Sequence, residues 1–206
     1  MIARLRADVI TSSWTTDTLD ELLSDGALSA LMRDSRLPAL VELAGVDAPA
    51  ATLTRFFIGG QPERASALDA ALPTLGAAGL ETLGLAATID EDEAASALVM
   101  PRPCSKSAPK RERAQASEGE EASFPTAPAL PTMRDPDEEP EPEVVVDPWM
   151  RALYDLRPHA AALPGGEREW WVTSDLGEGQ TGKPLADHHV MGIGGATRTL
   201  LEMTVR

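Results

Sequence analysis

Between Pro101 and Asp147 the chain cannot assemble a hydrophobic core, and this divides the rest of it in two. Ten of the 17 prolines fall in residues 101–148, and the run Asp137-Glu138-Glu139-Pro140-Glu141-Pro142-Glu143 has no apolar face to bury. Ordering such a stretch costs about 1–2 kcal/mol per residue, and burial of this composition does not offset that. Its first part, Arg102 to Arg113, is locally basic, and Glu118 to Asp147 is strongly acidic. Residues 90–147 are therefore expected to form a disordered insertion, entered through a solvated hairpin tip at Asp90-Glu91-Asp92-Glu93. Folded structure is left to the two flanks. Apolar residues make up 43% of the chain and aromatics 4%, so a core has to be built mainly from Leu, Ala and Val.

The first flank reads as a succession of short helices. Leu5 and Val9 share a face. Thr18 and Glu21 have the spacing of a capping box, with Leu19, Leu22 and Leu23 behind them. Asp25-Gly26 is the expected break, followed by short faces at Leu28, Leu31 and Met32 and then at Leu37, Leu40, Val41 and Leu43. Pro38 is tolerated in a first turn. Asp47-Ala48-Pro49 signals a helix start, with Leu53, Phe56 and Phe57 inward and Gly59-Gly60 at the end. Pro62-Glu63 opens the next helix, with Leu68, Ala71 and Leu72 inward. A turn from Pro73 to Gly79, a helix over 77–84 and a strand over 86–89 complete the flank. This order is that of a winged helix, and a generic helical bundle fits the same periodicity. In the winged-helix reading the insertion lies inside the wing, with the returning strand near 150–157.

The second flank alternates more than it cycles. Met150 to Leu156 and Trp170 to Thr173 read as strands, with a turn at Pro164-Gly165-Gly166 and an end at Ser174 to Gly177. Gly179 to Pro184 reads as a loop. Val190-Met191 leads into a Gly192-Ile193-Gly194-Gly195 turn, after which Thr197 is placed to cap a helix carrying Leu200, Leu201 and Met203. The expected fold class is α+β: an N-terminal short-helix bundle with a winged-helix-like part (1–89), the disordered Pro-rich acidic insertion (90–147) and a small β-rich module (148–206).

Charge narrows the partners. With 18 basic and 33 acidic residues the formal net charge is -15, and phosphate backbones repel such a chain, which disfavours nucleic acid. The insertion accounts for only part of this, since residues 101–147 hold 6 basic and 11 acidic groups. The single cysteine, Cys104, permits no intrachain disulfide and no CxxC site. It has no histidine nearby to activate it as a nucleophile. No stretch approaches the roughly 20 apolar residues of a membrane span, and the N-terminus has no long apolar signal region. A soluble, cytoplasmic protein that does not engage membranes is expected.

Few residue groups suggest chemistry. His188 and His189 follow Asp187, but neighbouring side chains of a strand point to opposite faces, so only one of the pair could join Asp187 or His159 at an ion. Asp175 and Glu178 lie close together without the apolar setting that would raise one carboxyl pKa for acid–base work. A capped turn or a contact with a partner domain suits them better. Trp170 and Trp171 point to opposite faces, one inward and the other towards the insertion, a neighbouring helix or an absent domain. Gly192-Ile193-Gly194-Gly195 matches a dinucleotide fingerprint only in part. The sequence contains no GxSxG, HExxH, Walker or zinc-spacing motif.

Several blocks carry a family resemblance. They are RASALDAALP (64–73), Leu80 to Leu85, ALYDLRPH (152–159), WWVTSDLG (170–177), TGKPL (181–185) and HVMGIGGATRTL (189–200). Together they resemble the N-terminal region of actinobacterial class I S-adenosylmethionine-dependent methyltransferases related to the HemK-like protein-glutamine methyltransferases. The resemblance covers roughly 150 residues, and the insertion is atypical for it. In that family the last block leads into a Rossmann-like core with a DxGxGxG-like cofactor loop and an Asn-Pro-Pro-Tyr-like catalytic motif. This sequence has neither motif. The resemblance therefore implies methyl transfer, and S-adenosylmethionine as cofactor, for a larger protein. This chain would be its front part, with no catalytic residue and no cofactor expected for it alone. By the same analogy Gly194, Gly195, Ala196 and Thr197 would lie at the edge of the cofactor pocket, where glycines allow close backbone approach and a helix start favours a carboxylate.

The implied partners are the missing methyltransferase domain and a protein substrate. This reading expects an exposed apolar edge over 190–206. Two others stand beside it: a winged-helix regulator, against which the segment 77–84 offers Glu81 and no Lys or Arg, and a non-enzymatic interaction module using the acidic Pro-rich segment.

Overall fold

The computed structural model describes residues 1–98, 146–163, 165–194, 197, 199, 200 and 203. The core of the expected insertion, 99–145, lies outside the described residues, as do Cys104, Gly195 and Ala196. Residues up to Leu98 and from Asp147 onward belong to one compact unit, so the two flanks fold together.

Four short helices come first: α1 (Ile2–Thr11), α2 (Thr16–Leu22), α3 (Asp25–Leu31) and α4 (Leu37–Glu42). Their starts differ from expectation in a consistent way. Thr15, not Thr18, caps α2: its Oγ1 accepts the Thr18 N–H at 3.2 Å. Asp25-Gly26 breaks nothing. Ser24 caps α3 by accepting the Ala27 N–H at 3.3 Å, so Asp25 and Gly26 form the first turn of that helix. In both cases a serine or threonine further upstream takes the role, because a cap has to precede the first helical residue and leave N2 or N3 exposed to its oxygen.

Helix α5 (Pro49–Leu53) continues into a wider π-type turn, Thr54–Ile58. Thr54 Oγ1 donates to Ala50 O at 2.7 Å and accepts the Trp14 Nε1–H at 3.0 Å. Trp14 stacks on Phe57, with ring centroids 5.7 Å apart, and Phe57 meets Phe56 edge-on at 4.9 Å. Three of the few aromatic rings thus sit fully buried at the centre of the molecule. Leu43, Leu53, Leu68, Leu72 and Leu80 surround them.

The winged-helix-like part follows: β1 (Glu63–Arg64), α6 (Ala65–Ala71), α7 (Gly76–Thr82), β2 (Ala86–Ile89), α8 (Glu91–Ala97) and β3 (Trp149–Ala152). Pro62-Glu63 opens a short strand before the helix. The sheet is antiparallel in the order β1-β3-β2, with Ala86 opposite Ala152 and Glu63 opposite Met150. β3 is the strand that returns after the insertion, and it occupies the centre of the sheet. The acidic run Asp90 to Glu93 is no hairpin tip. Asp90 accepts the Glu93 N–H at 2.7 Å and caps α8, whose first turn is acidic as the helix dipole favours. The ordered body therefore extends past the boundary expected at 89.

Leu153 then separates β3 from a long hairpin, β4 (Tyr154–Leu163) and β5 (Gly166–Asp175), where one continuous strand over 150–156 was expected. Short α9 (Glu178–Thr181) replaces the expected loop. The fold class is α+β, as the patterning implies.

Candidate functional site

Some of the residues singled out for chemistry, His159, Asp175, His189, Gly192 and Gly194, meet beside one face of the β4–β5 hairpin. Pairing sets Asp155 opposite Ser174, Arg157 opposite Val172 and His159 opposite Trp170, and alternation sends these side chains to the same side. Over them fold α9 and the segment from Leu185 to Gly194, enclosing a cavity of about 200 Å³ that also meets Asp34 and Met32.

Its floor is an ion pair. Asp155 is 3% exposed. It receives Arg157 Nε–H at 2.8 Å and an Arg157 Nη2–H at 2.8 Å, a two-pronged fit of guanidinium to carboxylate. Gln180 closes the site from α9. Its Nε2 donates to Asp155 Oδ2 at 3.0 Å and to the carbonyls of Phe57 at 3.0 Å and Ile58 at 3.1 Å, while its Oε1 accepts the Gly177 N–H at 2.8 Å. The orphaned carbonyls at the end of the π-type turn are thereby satisfied, and the hairpin is tied to the helical body.

The two carboxylates once weighed as an acid–base pair act as anchors. Asp175 Oδ2 accepts the Val190 N–H at 2.8 Å, and the Asp175 N–H donates to Val190 O at 3.0 Å. Glu178 Oε1 accepts the Leu185 N–H at 3.2 Å. Each holds backbone of the 185–190 segment. His189 Nδ1 lies 3.9 Å from Asp175 Oδ2, whereas His188 is exposed and apart from it. Among the described residues no group of three or more His, Cys, Asp or Glu is arranged to hold a metal ion.

Gly192 opens the glycine turn, ahead of the residues predicted for the cofactor edge, Gly194 to Thr197. A Cβ on Gly192 would stand 3.0 Å from Ser174 Oγ, so this glycine lets the segment approach the chain's own strand. Gly194 faces open space, and Thr197 is exposed and already helical rather than ahead of a helix. Gly195 and Ala196 lie outside the described residues. Of the tryptophans, Trp171 donates Nε1–H to Trp14 O at 2.8 Å and packs on the core, and Trp170 is 42% exposed. Sequence reasoning missed Asp155, Arg157 and Gln180. The Asp-x-Arg spacing on a strand places both side chains on one face and was the available signal for the first two.

The anchored segment presents apolar surface outward. Val190 is 59% exposed and Met191 78%; Leu200 and Met203, further along the chain, are exposed too.

Residues 11–97, less than half of the chain, match the family described as a domain of unknown function (DUF7059). That span runs from the end of α1 to the end of α8 and stops short of β3, the central strand of its own sheet. No curated protein matches the chain, and no solved structure does.

Proposed function

We propose that this chain is the substrate-recognition and scaffold region of an S-adenosylmethionine-dependent methyltransferase, working with a catalytic core that its own motifs do not supply. One observation carries the reading. The segment of the methyltransferase-like block is held by Asp175 and Glu178 and turns Val190 and Met191 to the outside. Exposing large apolar side chains on an anchored segment costs solubility, and such exposure marks surfaces that meet another body. The absence of a DxGxGxG-like or Asn-Pro-Pro-Tyr-like run from the sequence is consistent with the chemistry residing in that second body. A cytoplasmic location and a protein methyl acceptor belong to the same proposal. No described helix is long and apolar enough to cross a membrane. A DNA-reading winged helix is less well supported, because α7 carries no Lys or Arg.

The test has two arms. Calorimetric titration of S-adenosylmethionine into the isolated chain is expected to give no binding up to about 1 mM. A HemK-like catalytic core stripped of its own N-terminal region is expected to associate with the chain, and Met191→Asp is expected to abolish that association. Tight cofactor binding by the chain alone, or no association with the core, overturns the proposal.

A further inference from the structure

A cavity of about 580 Å³ lies between α1, the turn after α7 and the hairpin, and its reading does not rest on the methyltransferase proposal. Its size falls within the roughly 300–1,000 Å³ of small-ligand pockets. α1 lines it with Ile2, Leu5, Arg6 and Val9, the i, i+3, i+4, i+7 stripe of one helix face. The turn after α7 adds Leu85, and the hairpin adds Leu156 and Trp171. Leu156 stands opposite Thr173, two residues along β5 from Trp171, so these side chains come from one face of the hairpin.

Exposure grades across the cavity. Val9 and Leu156 are 1% and 2% exposed and form its floor, while Ile2 and Trp170 are 74% and 42% exposed and stand at its rim. Large apolar side chains left to solvent around a concave apolar surface mark a place where something binds. Arg6 and Glu169 are the charged groups among the lining residues. Glu169 is committed within the chain, because its Oε1 accepts the Thr16 N–H at 2.7 Å. The Trp171 indole N–H is likewise taken, by Trp14 O. Arg6 is exposed, and among the described residues its guanidinium makes no hydrogen bond or ion pair. It is therefore the charged group at this cavity with its donors still to give.

We infer that this cavity binds a small carboxylic acid with an apolar body. The body lies against Leu5, Val9, Leu85 and Leu156, and the carboxylate sits at Arg6. A guanidinium presents paired N–H donors in the geometry that a carboxylate accepts. The acidic remainder of the chain does not cancel this attraction, since exposed charges are screened beyond about 8 Å at physiological ionic strength. A neutral alcohol with the same body would keep the apolar contact alone. An amine would bring a like charge to Arg6.

The probe is decanoate, titrated into the full chain beside decanol and decylamine, with tryptophan fluorescence and amide NMR as readouts. Decanoate is expected to saturate one site with a Kd of about 1 mM or tighter. Its amide shifts are expected to concentrate over 5–9, 83–85 and 169–173. Decanol is expected to bind roughly tenfold more weakly, and decylamine more weakly still. Arg6→Gln changes an exposed helix position. It is expected to keep the thermal midpoint, to bring decanoate down to the level of decanol and to leave decanol unchanged. No saturable binding of decanoate, or shifts centred on other residues, would overturn the inference. Decanol or decylamine binding as tightly as decanoate, or decanoate indifferent to Arg6→Gln, would do the same.

Discussion

Trp14 organises the centre of the molecule through three separate contacts. Its ring stacks on Phe57, its indole N–H satisfies Thr54, and its carbonyl receives the indole N–H of Trp171 from the hairpin. Removing the ring empties a fully buried site and leaves Thr54 Oγ1 without its donor. Trp14→Ala is therefore expected to cost about 3–5 kcal/mol in urea denaturation. Glycines over 192–194 give a sharper test of local reasoning. Gly192 is there because Ser174 is 3.0 Å from where its Cβ would be, and Gly194 has room. Gly192→Val is expected to move the Val190 amide resonance and speed its hydrogen exchange, while Gly194→Ala leaves both unchanged. A glycine pattern that looked like a ligand contact is, at its first position, a contact within the chain.

Among the elements, side-chain carboxylates do much of the joining. Glu42 at the end of α4 accepts the Ser24 Oγ–H at 2.6 Å and the Ser24 N–H at 2.8 Å, which ties α4 to the start of α3. Asp147 does the same for α6, accepting the Ser66 Oγ–H at 2.6 Å and N–H at 2.9 Å as the chain re-enters the sheet. Both carboxyls titrate below their ordinary values, first because of the serine hydroxyl and then the serine N–H. A carboxyl with a lowered folded value contributes stability above the ordinary carboxylate range and loses it as pH falls through the folded value. Urea midpoints measured from about pH 6 down to pH 2 are expected to fall, and the acid limb is expected to flatten in Glu42→Gln. Gln180 is the corresponding joint between α9, the π-type turn and β4. Gln180→Ala is expected to cost about 1–3 kcal/mol and to raise hydrogen exchange over 177–194, since it strands two carbonyls and one side of Asp155.

On the scale of the whole molecule, the sheet is closed across the insertion. β3 lies between β1 and β2, and Arg64 lies 4.1 Å over the ring of Trp149 at the start of β3. Among the described residues, β3 pairs Arg64 with Trp149 on one side and Ala86 with Ala152 on the other. Replacing those residues with a flexible linker of about ten Gly and Ser is expected to leave the cooperative thermal transition within a few degrees of the full chain. Loss of that transition would mean that the insertion supplies part of the core.

Local rules reached some of this and stopped at identifiable points. Pro49 at a helix start, Gly59 at a helix end and the strand over 86–89 were readable because each depends on residues within one turn or one strand. The winged-helix order was readable from element succession, and the wing was correctly expected to bracket the insertion. The cap expected at Thr18 and the break expected at Asp25-Gly26 slipped because Thr15 and Ser24, just upstream, take the helix starts. Periodicity and composition determine which segments of a chain are able to fold and what type of element each becomes, since those follow from short-range sterics and from how much apolar surface a segment offers. Whether Asp155 meets Gln180, and whether Asp175 holds a backbone instead of a proton, is decided only when strands and loops distant in sequence are packed together. Burial, hydrogen-bond partners and cavities come into existence with that packing.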